Sequence, residues 1–171
     1  MLFRSLSLDG LHTPRLREHV RRAIEYRSAL RRAMLERNPD SGDLVSVEDA
    51  AVLVHRLCTS IQRYESDRLL AEDHRRLQQI EHPTPGQLRQ LNTLNELARQ
   101  MESAEQEAVD LLATLGESYA SLQHLRAVPD AEGSAPEVLS RMRGGANKLR
   151  DSVQALEELY RETRPAASEA R

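Results

Sequence analysis

An apolar residue recurs at every seventh position through the middle of the chain, and this stripe limits the folds open to it. The stripe consists of Leu94, Met101, Ala108, Leu115 and Leu122. A complementary series is interrupted by Glu105 alone and contains Leu91, Ala98, Leu112 and Tyr119. A seven-residue repeat keeps one face of an α-helix against a partner, so the pattern predicts a long helix packed on other helices. Further apolar positions widen the stripe beyond a narrow seam, which favours a bundle of three or four helices.

The apolar composition also favours helices over strands. The 171 residues include 26 Leu against 9 Val and 3 Ile, and only one Phe, four Tyr and no Trp. Strands prefer β-branched and aromatic side chains, so this composition argues against a sandwich, a barrel or a doubly wound sheet. The length suits one self-standing domain, and we expect residues 1–171 to form it.

Capping residues and prolines divide the chain into four predicted helices. Thr13 with Pro14 opens the first, Ser46 the second, the Thr84–Gln87 capping box the third, and a capping box beginning at Ser134 the fourth. The predicted helices span residues 14–37, 46–81, 85–126 and 135–163, and residues 164–171 form a flexible tail. Only His82 and Pro83 then lie between the second helix and the Thr84 cap of the third, which predicts a tight antiparallel hairpin.

Together these signals predict an all-α fold, an elongated antiparallel four-helix bundle with up-down connections. Its spine is a long, coiled-coil-like hairpin of the second and third helices. The third helix would be about 63 Å long and would outreach the first and fourth if it is unbroken. Part of its stripe would then be left for a dimer partner or another protein's helix; the alternative is a kink that removes the overhang. Gly144 and Gly145 lie inside the fourth helix, where they indicate a kink or a close helix crossing, the kink being favoured.

Sequence motifs for catalysis or cofactor binding are missing. The six histidines show no Glu-x-x-His or His-x-x-x-His spacing, the single Cys58 cannot form a thiolate zinc site, and no phosphate-binding glycine motif occurs. We therefore expect no catalytic residues, no metal and no cofactor.

One cysteine, no signal-peptide pattern and no long apolar run predict a cytoplasmic protein. The ratio of 23 Arg to one Lys favours a bacterial source.

Charge is distributed unevenly along the chain. Residues 1–37 contain nine Arg and four acidic residues, a local net charge of +5 within a chain of net charge −3. Arg17, Arg21 and Arg32 share one flank of the first helix and form a candidate basic interaction face. Three interpretations stay open: a solvated face beside acidic helices of the bundle or its dimer, a site for nucleic-acid phosphates, or an anchor on anionic membrane together with residues 1–8.

Glu105 is the acidic interruption of the third helix's apolar series. Folding the hairpin antiparallel places it near Tyr64, and we consider contact with the Tyr64 hydroxyl or with an arginine. Such a polar layer fixes helix register more than it adds stability. The alternative is that Glu105 lies at the edge of the stripe in water.

The function predicted from these features is interaction without catalysis. We expect a scaffold, adaptor or structural component that contacts proteins through exposed helical surface and associates with itself, as a dimer. Binding of nucleic acid through the first helix is the main alternative, and peripheral binding to anionic membrane is the second.

Overall fold

The computed structural model describes residues 6–37, 43–127 and 135–163, which form five α-helices and no strand. The helices are α1 Pro14–Arg37, α2 Asp43–Glu65, α3 Arg68–Gln78, α4 Pro85–Ala127 and α5 Ala135–Thr163. The predicted all-α class is confirmed. Ser134 and the predicted tail at 164–171 lie outside the described residues.

Three of the four predicted helix starts are observed at the expected residues, Pro14, Pro85 and Ala135. α1 begins at Pro14 and α4 at Pro85, where a missing backbone N–H costs nothing. The capping box before α4 is formed in both directions: the Thr84 N–H donates to Gln87 Oε1 at 2.9 Å, and the Gln87 N–H donates to Thr84 Oγ1 at 3.3 Å.

The prediction of one continuous helix over residues 46–81 is wrong. α2 starts earlier, at Asp43, and ends at Glu65, and α3 begins at Arg68 after two non-helical residues. Asp67 adopts an extended conformation and caps α3, with its side chain accepting from the Leu70 N–H at 3.3 Å. An aspartate that can satisfy a free N–H of a new first turn makes a second helix start favourable at this point.

The main hydrophobic core is shared by α1, α2, α4 and α5. α1 packs against α2 and α4, and α5 packs against α2 and α4. Large side chains with almost no exposed surface come from all four helices: Leu16, Leu30, Leu57, Ile61, Leu97, Leu111, Leu115, Met142, Leu149 and Leu156. Most of the apolar stripe of α4 is buried here, which confirms that the seven-residue repeat faces other helices.

Salt bridges between helices show their relative directions. α2 and α5 run in the same direction, as shown by the pairs Asp49–Arg150 and Arg56–Glu157. α1 runs opposite to α2, as shown by Arg15–Glu65 and Arg27–Glu48. α4 runs opposite to α5, as shown by Glu107–Lys148 and Glu117–Arg141.

A second, smaller core lies between α3 and the first half of α4. Its buried members are Leu70, Leu77 and Leu94, with Tyr64, Ile80, Leu91 and Tyr160 packed around them. We call α3, the connection 79–84 and residues 85–103 of α4 the α3–α4 hairpin. The break after α2 turns Leu70 and Leu77 toward α4, so it gives the hairpin an apolar interior of its own.

The segment before α1, residues 6–13, also packs on the main core. Leu11 is buried, and Leu6 and Leu8 are half-buried against the same cluster. Gly10 has φ +79°, a conformation that glycine adopts without strain. The side-chain oxygen of Gln62 on α2 accepts from the backbone N–H groups of His12 and Thr13 at 2.8 and 2.9 Å, which ties this segment to the end of α2.

Helix α5 continues unbroken across Gly144 and Gly145. A Cβ atom placed on Gly145 would lie 3.3 Å from Leu111 Cδ1 of α4, whereas nothing lies within 4 Å of one on Gly144. Of the two alternatives considered for these glycines, the structure therefore supports the close approach of two helices at Gly145.

Candidate functional site: a polar cluster and the basic first helix

Glu105 is the centre of a polar cluster that joins α1, α2 and α4. Arg15 Nε donates to Glu105 Oε1 at 3.0 Å, and Arg15 Nη2 donates to Glu65 Oε1 at 2.6 Å. His19 Nε2 lies 3.1 Å from the same Glu105 oxygen, and Thr13 Oγ1 donates to Glu65 Oε2 at 3.0 Å. Arg15 thus bridges carboxylates of two other helices from the first turn of α1.

The electrostatics of this cluster favour a fixed positive charge at Arg15. Hydrogen bonds from Arg15 to Glu105 and to Glu65 raise the pKa of the guanidinium above its usual value. The Glu105 and His19 side chains are only 19% and 18% exposed, so their contact is partly shielded from water. The carboxylate oxygens are occupied by protein donors, an arrangement that holds helices together rather than one that presents a reactive group.

The partners of Glu105 settle which of the predicted contacts it makes. Of the two contacts that the sequence allowed, the structure shows the one with an arginine, Arg15. Tyr64 instead packs edge-to-face on Tyr160 of α5, with ring centroids 6.3 Å apart and planes at 75°. Burial raises the pKa of Tyr64, and the nearby charge of Asp67 adds to the effect.

Sequence reasoning missed His19 as a member of the cluster. The available signal was its position four residues after Arg15, which places both side chains on one face of α1. Gln62 was missed as well, although it is one of two buried polar residues in the described chain. A glutamine in the apolar face of a helix can be identified from sequence, but its partners, residues 12 and 13, lie about fifty positions away.

The three arginines of the candidate basic face have different surroundings. Arg21 forms salt bridges of 2.7 Å with both Glu18 and Glu25. Arg17 Nη1 donates to the Leu11 carbonyl at 3.2 Å, and Arg32 is exposed. Neighbouring carboxylates reduce the positive potential that phosphate binding requires, and they do so most at Arg21.

The described ranges contain no group of three or more His, Cys, Asp or Glu side chains able to hold a metal ion. Cys58 is buried, and this burial, with a smaller contribution from the charge of Glu105, raises the pKa of its thiol to about 12. Such a thiol stays protonated and unreactive. No helix within residues 6–37, 43–127 and 135–163 has both the length and the apolar character needed to cross a membrane.

Large apolar side chains are exposed at separate places on the surface. They are Leu35, Val45, Leu69, Leu88 and Val109, with exposed fractions from 38% to 57%. Leu69, the most exposed at 57%, and Leu88, at 44%, both belong to the α3–α4 hairpin. The hairpin therefore combines a small interior with exposed leucines.

Comparison of the chain with protein-family models, with curated proteins and with solved structures found no match.

Proposed function

We propose that this protein is a non-enzymatic helical-bundle scaffold or adaptor of the cytoplasm, which acts through helix–helix contacts and associates with itself as a dimer. In this proposal α1, α2, α4 and α5 form an up-down four-helix bundle, and the α3–α4 hairpin extends it in a coiled-coil-like manner. The hairpin is the surface proposed for association with a second copy.

The observation that carries the proposal is the small interior of the hairpin. The cluster between its two helices buries only Leu70, Leu77 and Leu94, since Leu97 of α4 packs into the main core, while Leu69 and Leu88 expose about half of their surface. Because Glu105 meets Arg15 in the first turn of α1, the part of α4 that precedes Glu105 lies beyond the start of α1 and spans about 30 Å. Apolar surface on such an extension is stabilised by a partner helix.

The charges of the hairpin suit contact between identical surfaces. α3 carries both signs, with Arg68, Arg75 and Arg76 beside Glu72 and Asp73. A two-fold interface places the same patch on both subunits, so a patch of mixed charge can pair with itself, whereas a patch of one sign repels its copy.

Sedimentation equilibrium of the full chain tests this proposal, with exposed leucines replaced by charge. We expect a concentration-dependent dimer, and we expect Leu69→Glu and Leu88→Glu to shift it toward monomer. Val109→Glu and Val45→Glu are matched controls, because both residues are exposed valines outside the hairpin. They should leave the dimer intact.

Two results would overturn the proposal. One is a strict monomer at high protein concentration. The other is a dimer that the two hairpin variants and the two control variants weaken equally, because the interface would then lie elsewhere. Circular dichroism of each variant confirms that the helices are retained.

A further inference from the structure

Helix α3 is packed on one side only. Among the described helices it contacts α4 and α2 and no other. Leu70 and Leu77 are buried against α4. Because each residue turns an α-helix by about 100°, Arg68, Glu72 and Arg75 lie on the side opposite to these leucines, and all three are exposed. We call these three residues the outer row of α3, in which a negative charge lies between two positive ones.

The first two charges of the outer row have no partner on their own chain. Elsewhere on α3, Arg76 pairs with Asp73 at 2.9 Å. Arg68 and Glu72 are one helical turn apart, yet neither forms an ion pair or a hydrogen bond within the described residues. Both side chains are therefore free to meet opposite charges on another molecule.

Apolar side chains lie on both flanks of the outer row. Leu69 lies on one flank and, at 57%, is the most exposed of the large apolar residues that the structure describes. Ala71 lies on the other flank and is also exposed. The first two turns of α3 therefore present opposite charges together with apolar surface.

From this arrangement we propose that α3 pairs in antiparallel fashion with α3 of a second copy, about a two-fold axis at the level of Leu70. The inference rests on the proposed self-association through the hairpin and names the contact that makes it. In this register position 68 of each copy lies level with position 72 of the other, so Arg68 meets Glu72 of the partner subunit, and the pair occurs twice. The two Leu69 side chains lie on the same side of the contact, about 3 Å apart in level.

Other registers of two α3 helices lose one of these features. An axis at Glu72 places two carboxylates opposite each other, and a parallel pair places every charge opposite its own copy, which is repulsive. An axis between Glu72 and Arg75 pairs opposite charges but separates the two Leu69 side chains by about 13 Å in level. The contact covers about two helical turns, which is small, so we expect a weak dimer that depends on protein concentration.

Two single charge reversals test the pairing. Arg68→Glu makes positions 68 and 72 both negative, and Glu72→Arg makes them both positive. Each variant alone should dimerise about tenfold to thirtyfold more weakly than the unaltered chain, because two attractive pairs become repulsive. Mixed in equal amounts, the two variants should associate with each other about as tightly as the unaltered chain does with itself, since every acid then faces an arginine. Sedimentation equilibrium with one variant carrying a fluorophore measures the mixed dimer.

The matched controls are Arg89→Glu and Glu102→Arg, which make the same charge changes at exposed positions of α4 within the hairpin. They should leave the dimer affinity unchanged, and circular dichroism of every variant checks that the helices are retained.

The pairing is overturned if the two variants do not associate with each other, or if the controls weaken the dimer as much as they do. If the mixture fails while Leu69→Glu still weakens the dimer, the hairpin remains the dimer surface and only this pairing is wrong. A strict monomer overturns both proposals. Unchanged self-association in all four charge variants also overturns the pairing, and it leaves the outer row of α3 to a different protein.

Discussion

The ring of Tyr26 on α1 lies directly against the backbone of Gly116 on α4. A Cβ atom placed on Gly116 would be 2.9 Å from the Tyr26 hydroxyl oxygen and 3.2 Å from Cζ. Real Cβ atoms almost never approach another heavy atom to 2.9 Å. The absence of a side chain at 116 is therefore what allows the α1 tyrosine to pack on α4.

Gly116→Ala is expected to lower the free energy of unfolding by about 1 kcal/mol. Alanine gains about 1 kcal/mol of helix propensity, but overpacking against Tyr26 costs about 2 kcal/mol. Urea denaturation measures the difference. In a Tyr26→Ala background the same substitution should stabilise the protein, because the clash is gone. Stabilisation by Gly116→Ala alone would contradict this account.

Gly144→Ala and Gly145→Ala form a matched pair within α5. Position 144 is open, so alanine there should raise the free energy of unfolding by about 1 kcal/mol through helix propensity. At position 145 the new Cβ meets Leu111 Cδ1 at 3.3 Å, which offsets most of that gain. Thermal or urea unfolding compares the two variants, and a larger gain at 145 than at 144 would show that α4 and α5 are not closely packed there.

The salt bridge between Arg56 and Glu157 predicts a pH dependence. Its hydrogen bonds hold the pKa of Glu157 below the usual 4.5, with Arg56 as the main cause. A lowered folded-state pKa adds stability above the unfolded pKa, and this stability is lost as pH falls through the folded value. Arg56→Gln should therefore cost about 0.5–1 kcal/mol at pH 7 and progressively less below about pH 4.5.

Arg63→Gln, at an exposed position of the same helix, is the control for Arg56→Gln and should show a smaller loss at pH 7. Urea denaturation between pH 3 and pH 7 measures both variants. A loss from Arg56→Gln that is constant with pH would assign its effect to packing of the arginine stem instead of the ion pair.

Cys58 is expected to react with a thiol reagent only when the protein unfolds. A pKa raised to about 12 leaves almost no thiolate at pH 8, and burial blocks access. Labelling with a chromogenic disulfide at pH 8 should be slow in buffer and fast in a denaturing concentration of urea. Rapid labelling of the folded protein would place the thiol at the surface.

Glu105→Leu tests whether the polar cluster stabilises the fold. Because Glu105 is bonded to Arg15 and His19, leucine should lower the free energy of unfolding by about 1–2 kcal/mol, since partly buried donors lose their acceptor. Glu102→Leu, at an exposed position one turn earlier, is the control. A rise in melting temperature with Glu105→Leu would show that the cluster serves helix register at the expense of stability.

The helices of this protein could be predicted where local chemistry marks them. Pro14 and the Thr84–Gln87 capping box are signals within four residues, and both helix starts were predicted correctly. The break at Ser66 and Asp67 was not predicted, because an aspartate at position 67 is also tolerated inside a helix. Asp67 acts as a helix cap here because the new helix lets Leu70 and Leu77 pack against α4. Tertiary packing thus decides a boundary that local propensity leaves open.

Only one member of the polar cluster, Glu105, could be predicted from the sequence, because the identity of its partners also depends on tertiary packing. Glu105 is evident as the polar interruption of an apolar series, but its partners Arg15 and His19 are about ninety positions away on another helix. Sequence periodicity assigns a residue to a face and does not say which helix will cover it.

The link between Gln62 and the start of α1 has a consequence for the order of folding. The two N–H groups before Pro14 find their acceptor on a helix formed from residues made about fifty positions later. A chain emerging from synthesis can therefore begin α1, but it cannot anchor the entry to that helix until α2 is complete. The beginning of the first helix is therefore secured only after the second helix has formed, and amide exchange at His12 and Thr13 should report the docking of α2.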